Sequence, residues 1–183
     1  LETAARIYEG MGDSKRAQQL WVSYLERYSG NPHRWGVALA LARSQDALRQ
    51  DSQAVAAYKN CMSGPADYLA ECGARLGDLY MRNQNVSEAK NYYRKVAATR
   101  TTAAKAKKKA PAKASSASSN EATSSPYVGY ARFKLAEMME QETRFEPLAM
   151  PEEKLKRAMN ERLEFLEPLS RAYTSAVSAG GPW

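Results

Sequence analysis

Apolar residues recur at helical spacing along most of this chain, interrupted by short polar runs that suit helix ends. Ala4, Ala5 and Tyr8 share one face of a helix, and so do Ala17, Trp21 and Tyr24 further on. Between these two sets the run Gly10-Met11-Gly12-Asp13-Ser14 closes one helix and caps the next. The run 83–87 does the same downstream, and a similar cap lies around residues 50–52. The composition favours helix formers, and the long β-branched runs that strands need are missing. The pattern predicts an all-α chain with no strands.

The helical pattern repeats. Ala17 and Trp21 are echoed by Ala54 and Tyr58 and then by Ala89 and Tyr93, so the alanines lie 37 and 35 residues apart. Tyr8 precedes Ala17 by nine residues, and Tyr80 precedes Ala89 by nine. The predicted unit is helix, short turn, helix. Such a unit cannot bury an apolar face alone, so neighbouring units stack. Gly77 and the three alanines permit close approach of helix backbones, while Tyr8, Trp21, Tyr58, Tyr80 and Tyr93 fill the space between them.

Here the chain resembles a known family. Leu76, Gly77 and Tyr80, followed by Ala89, Tyr93 and Val96, look like both helices of a tetratricopeptide (TPR) repeat. The first copy, with Ala4, Ala5, Tyr8, Ala17, Trp21 and Tyr24, and the middle copy, with Trp35, Ala38, Leu39, Ala42, Ala54, Tyr58 and Cys61, match it more loosely. The resemblance implies a right-handed α-α superhelix, a TPR-like solenoid of about four helix pairs. It also implies a protein-binding scaffold whose concave face is built from the first helix of each pair. By register that face presents Arg6, Glu9, His33, Ala40, Arg43, Glu71, Ala74, Asp78 and Arg82. Glu2, Glu71 and Asp78 stand where the family's clamp for C-terminal carboxylates wants Lys or Asn, which argues against a chaperone-tail receptor. A groove of mixed charge suits a protein partner carrying both signs.

Three units are expected over residues 1–98, a basic low-complexity linker over 99–125, and a divergent fourth pair over 126–183. From Ala98 through Ser125 there is no aromatic residue and no Leu, Ile, Val or Met, so burial cannot offset the entropy of ordering this stretch. After it, Ser125-Pro126 reads as a cap with Pro at a first helical position. The helices of the fourth pair are expected at about 126–142 and 151–178, the second kinked by Pro168.

Charge sharpens this division. The formal net charge is +7, but residues 100–125 hold six basic side chains against one acid, leaving 21 basic and 19 acidic residues elsewhere. The repeats are nearly balanced, and the lysines of the linker lack the interleaved aromatics that nucleic-acid grooves use, which argues against nucleic acid. Contact of the linker with an anionic polymer or a membrane surface stays open beside its plain role as a soluble insertion.

Candidate chemistry is sparse. His33, the single histidine, sits beside Pro32 at a helix entrance, and no phosphate loop, nucleophile elbow or metal spacing occurs. No cofactor and no catalytic activity are expected. Met138, Met139, Met159 and Tyr130 read as core positions. Cys61 and Cys72 flank a turn between consecutive helices and are compatible either with a disulfide or with two buried free thiols, the latter slightly favoured.

Both ends of the sequence look cut from a longer polypeptide. The joint 24–32, Tyr-Leu-Glu-Arg-Tyr-Ser-Gly-Asn-Pro, resembles that of bacterial envelope TPR lipoproteins that assist outer-membrane assembly. It implies a periplasmic or envelope-associated location, with a cytoplasmic one as the alternative. A helical arm of a larger cell-wall enzyme is the competing functional expectation.

Overall fold

The computed structural model describes residues 1–99, 125–143, 145 and 152–180, and the chain divides into two compact units, 1–99 and 100–183. Among the described residues there are eight α-helices and no strand. The expected linker, 99–125, lies outside the described residues apart from its two end positions, as does most of the joint that follows Thr143.

The first unit holds α1 (Glu2–Gly10), α2 (Ser14–Arg27), α3 (Arg34–Ala47), α4 (Asp51–Cys61), α5 (Ala66–Arg82) and α6 (Val86–Ala97). Each helix packs on the next in sequence, and α3 also touches α5. The turns inside the three pairs are built alike. Gly12, Arg49 and Gln84 adopt φ of 82°, 58° and 60°, and the N–H of the next residue donates to a carbonyl five residues back. These bonds are Asp13 to Tyr8, Gln50 to Gln45 and Asn85 to Tyr80, each 2.9 Å, and they satisfy carbonyls that a helix end would otherwise leave open. Asp13 and Asn85 then cap the following helix, accepting from Arg16 N at 3.1 Å and Glu88 N at 3.3 Å. The three left-handed residues are 37 and 35 positions apart, as are the three alanines.

Burial follows the repeat. Ala17, Ala54 and Ala89 are fully buried, with Trp21, Tyr58 and Tyr93 beside them. One core cluster joins Ala5, Trp21 and Tyr24 to Val37 and Leu41; another joins Ala38 and Ala42 to Tyr58, Leu76 and Tyr92. Close approach is strongest at α5, where a Cβ on Gly73 would lie 2.5 Å from Val96 Cγ2 and one on Gly77 2.5 Å from Tyr93 Cε1. Cys61 and Cys72 are joined in a disulfide with Cα atoms 6.1 Å apart, tying the end of α4 to α5. Both are fully buried, so the small apolar role given to free thiols is filled by a cross-link.

The second unit is a pair, α7 (Pro126–Glu142) and α8 (Glu152–Ser178), with Pro168 inside the continuous α8. Gly129 lets α7 approach closely: a Cβ there would lie 2.5 Å from Gly180 O. Arg132 donates to Ser175 O and Oγ, both at 3.2 Å, and Tyr173 Oη donates to Glu140 at 2.6 Å. That bond is the first cause pushing the Tyr173 phenol up to about 12. Met138 is buried as expected of a core position, whereas Met159 is half exposed.

Candidate functional site

The first helices of the three pairs, α1, α3 and α5, supply a cleft of about 300 Å³. Arg6 and Glu9 come from α1, Gly36, Leu39, Ala40 and Arg43 from α3, and Tyr68 from α5. On α3 the spacing 36, 39, 40, 43 repeats one helical turn, so small residues and a guanidinium share one strip. Gly36 keeps the strip low: a Cβ there would meet Tyr68 Oη at 3.3 Å. The result is a shallow surface with an aromatic wall and charged rims.

The rim charges are largely paired. Arg6 donates to Glu2 at 2.9 Å within α1. Glu71 of α5 accepts from Arg43 of α3 and from Arg75 at 3.0 Å, so one carboxylate ties two first helices together. The exposed Arg6–Glu2 pair contributes little to stability, whereas Glu71 keeps only 14% of its side chain exposed between its two arginines. Arg6, Arg43 and Arg75 against Glu2, Glu9 and Glu71 leave the cleft balanced.

Of the nine residues assigned to the groove by register, Arg6, Glu9, Ala40 and Arg43 line this cleft and Glu71 joins its edge through Arg43. The other four are elsewhere. His33 is exposed at the start of α3, where its backbone N–H donates to Asn31 Oδ1 at 2.9 Å. Asp78 is committed to its own helix pair, because its Oδ1 accepts from Tyr93 Oη of α6 at 2.5 Å. Arg82 reaches the α3–α4 turn and donates to Asp46 and Asp51, each at 2.8 Å. Asn83 and then Arg82 hold the Asp51 carboxyl below its ordinary range, and the Asp46 bond leads the causes that raise Arg82. Ala74, placed on the same face, is fully buried instead. Register missed Gly36, Leu39 and Tyr68; the one-turn spacing of Tyr68, Glu71 and Arg75 on α5 is the signal that could have found Tyr68.

Among the described residues no group of three or more His, Cys, Asp or Glu could hold a metal ion, and no helix is long and apolar enough to cross a membrane.

No family model and no curated protein matches the chain. Solved structures do match. One is a crystal structure of nearly identical TPR-like repeats from a Podosopora anserina protein described as a kinesin light chain. It is 20% identical, with a TM-score of 0.50, and the match covers 95% of this chain and 72% of that one. With the stacked helix pairs described above, this likeness shows a TPR-like helical-repeat fold.

Proposed function

We propose that the chain is a protein–protein interaction scaffold, a module of a larger protein or complex, and that it acts by binding and not by catalysis. The observation that carries this is the cleft itself. Arg6 and Glu9, Arg43, and Tyr68 converge from three successive first helices onto a strip kept low by Gly36 and Ala40. Helices fix these groups before any partner arrives, so little ordering entropy is lost on docking. Tyr68 offers contact area, and the rim offers both signs of charge, which favours a segment that itself carries both.

The test pairs the wild-type chain with the double variant Arg43→Glu, Tyr68→Ala. Partners captured from the native source by the wild type are identified by mass spectrometry and titrated against both proteins as purified chains. The reading expects at least a tenfold loss of affinity in the variant, about 1.4 kcal/mol. Equal affinity for both would overturn it.

The location proposed is an oxidising compartment, with the bacterial periplasm or envelope as the specific case. The buried Cys61–Cys72 disulfide supports it, since such bonds persist where thiols are not kept reduced. The Lys-rich run at 105–113 supports a separate contact with an anionic polymer or membrane surface. Binding to peptidoglycan or anionic vesicles that survives deletion of residues 100–125 would count against that contact.

A further inference from the structure

The second unit leaves part of its long helix without a helical partner among the described residues. α8 runs for 27 residues and α7 for 17. The two are antiparallel, with Gly129 against Gly180, Arg132 against Ser175 and Phe133 against Tyr173. Counted from Phe133 and Tyr173, Glu142 at the end of α7 stands level with Glu164. About the first three turns of α8 therefore reach past α7.

That overhang is not polar all round. Met159, Leu163 and Leu166 are 50%, 60% and 51% exposed. At about 100° per residue they fall within about 60° of one another, in a single stripe. The stripe is separate from the face turned to Phe145, which carries Phe165, with ring centroids 5.4 Å apart, and the Arg162 guanidinium at 5.5 Å. Large apolar side chains lined up in this way mark an interaction surface, whereas single exposed ones need no account.

The charges bordering the stripe indicate what covers it. Lys156 and Glu167 lie on one side of it, Lys156 paired with Glu152 at 2.6 Å and Glu167 with Arg171. All four side chains are more than two-thirds exposed, so neither pair is held firmly. In chain order they read acid, base, acid, base. Turning the helix end over end about the point between Glu161 and Arg162 brings Glu152 onto Arg171 and Lys156 onto Glu167. A second copy of α8 laid antiparallel along the stripe therefore meets opposite charge at all four positions. The same turn sets Met159 beside Leu163 of the second copy, as in an antiparallel seam. A parallel copy in register would set like charge against like.

We propose that α8 pairs antiparallel with α8 of a second copy of the chain, through Met159, Leu163 and Leu166, with Lys156 and Glu167 meeting across its border. The interface is small for a specific one, so the dimer is weak and forms with concentration. It gives the scaffold two copies of the α1–α3–α5 cleft, and a partner with two docking segments then gains effective concentration.

Sedimentation equilibrium of the full chain, loaded up to about 1 mM, tests this. The parent is expected to pass from monomer to dimer, and Leu163→Asp to stay monomeric with an unchanged helical circular dichroism spectrum. Lys156→Glu and Glu167→Lys each set like charges across the seam twice per dimer and should weaken association about tenfold at low salt. The decisive sample is an equal mixture of these two variants, in which each chain supplies the charge that the other lacks. Association there should return to within about threefold of the parent. A local effect of either substitution on its own helix would not be rescued by mixing. If Leu163→Asp loses helix, the mixture alone decides. A parent that stays monomeric throughout, a folded Leu163→Asp that dimerises as tightly as the parent, single charge variants as tight as the parent, or a mixture no tighter than they are would overturn the proposal.

Discussion

Tyr93 occupies the space that a side chain at Gly77 would need. A Cβ on Gly77 would lie 2.5 Å from Tyr93 Cε1 and 2.8 Å from Cδ1 and Cζ. The ring cannot easily give way, because its hydroxyl donates to Asp78 at 2.5 Å and the residue is 1% exposed. Packing a methyl group there should cost about 1–3 kcal/mol, against about 1 kcal/mol of helix propensity regained. Gly77→Ala is therefore expected to lower the urea midpoint. Gly10→Ala serves as the control, since nothing lies within 4 Å of a Cβ at that position. Equal midpoints for the two variants would remove the packing account.

Arg49 and Gln84 stand at turn positions where Gly12 is the natural solution. Their φ of 58° and 60° brings a Cβ close to the following carbonyl oxygen, a strain of about 1–2 kcal/mol that glycine does not feel. Glycine also makes the unfolded chain more flexible, which takes back about 0.4–1 kcal/mol. Gln84→Gly should then stabilise the first unit by about 0.5–1 kcal/mol, and Gly12→Ala should destabilise it by a similar amount or more. Thermal unfolding of the two variants checks both signs, and a drop in the midpoint of Gln84→Gly would contradict this balance.

The helix pairs were legible because close-packed positions tolerate few residue types. Ala17, Ala54 and Ala89 had to be small, so their period stands out from a varied surface. The turns were half legible: Gly12 announces a left-handed residue, while Arg49 and Gln84 hide the same conformation behind ordinary side chains. The cleft was less legible for a different reason. Register says which way Asp78 and Arg82 leave α5, not that Tyr93 and Asp46 wait there, 15 and 36 residues away in sequence.

Tyr58 links stability to alkaline pH. Burial, and after it the nearby Asp46 carboxylate, hold its phenol proton well above the ordinary value of 10.0, and its Oη donates weakly to Asp46 at 3.4 Å. Below pH 10 both folded and unfolded chains keep the proton, so the contribution is fully present. Above pH 10 the unfolded chain ionises first, and stability falls by up to about 1.4 kcal/mol per pH unit until the folded phenol itself ionises. Tyr58→Phe should lose about 1 kcal/mol or less at neutral pH and flatten the decline above pH 10. Urea titrations of parent and variant at neutral and alkaline pH compare the slopes. A parallel decline in both would mean that Tyr58 carries none of it.

The Cys61–Cys72 bond closes a short loop, with eleven residues of sequence separation, around the joint between α4 and α5. Loop-closure entropy alone assigns such a bond about 2–3 kcal/mol of stability, acting through the unfolded chain. The double variant Cys61→Ala, Cys72→Ala should therefore unfold about 2–3 kcal/mol more easily, and a purified sample treated with reductant should move the same way. Because both sulfurs are fully buried, reduction of the folded chain should be slow in buffer and fast once denaturant opens the core. Intact mass after alkylation in denaturant distinguishes the two states of the cysteines. No added label without reductant and two with it is the expected result, and two labels without reductant would mean that the chain carries free thiols. That outcome would also withdraw the main support for an oxidising compartment, since the rest of the core packs without reference to redox conditions.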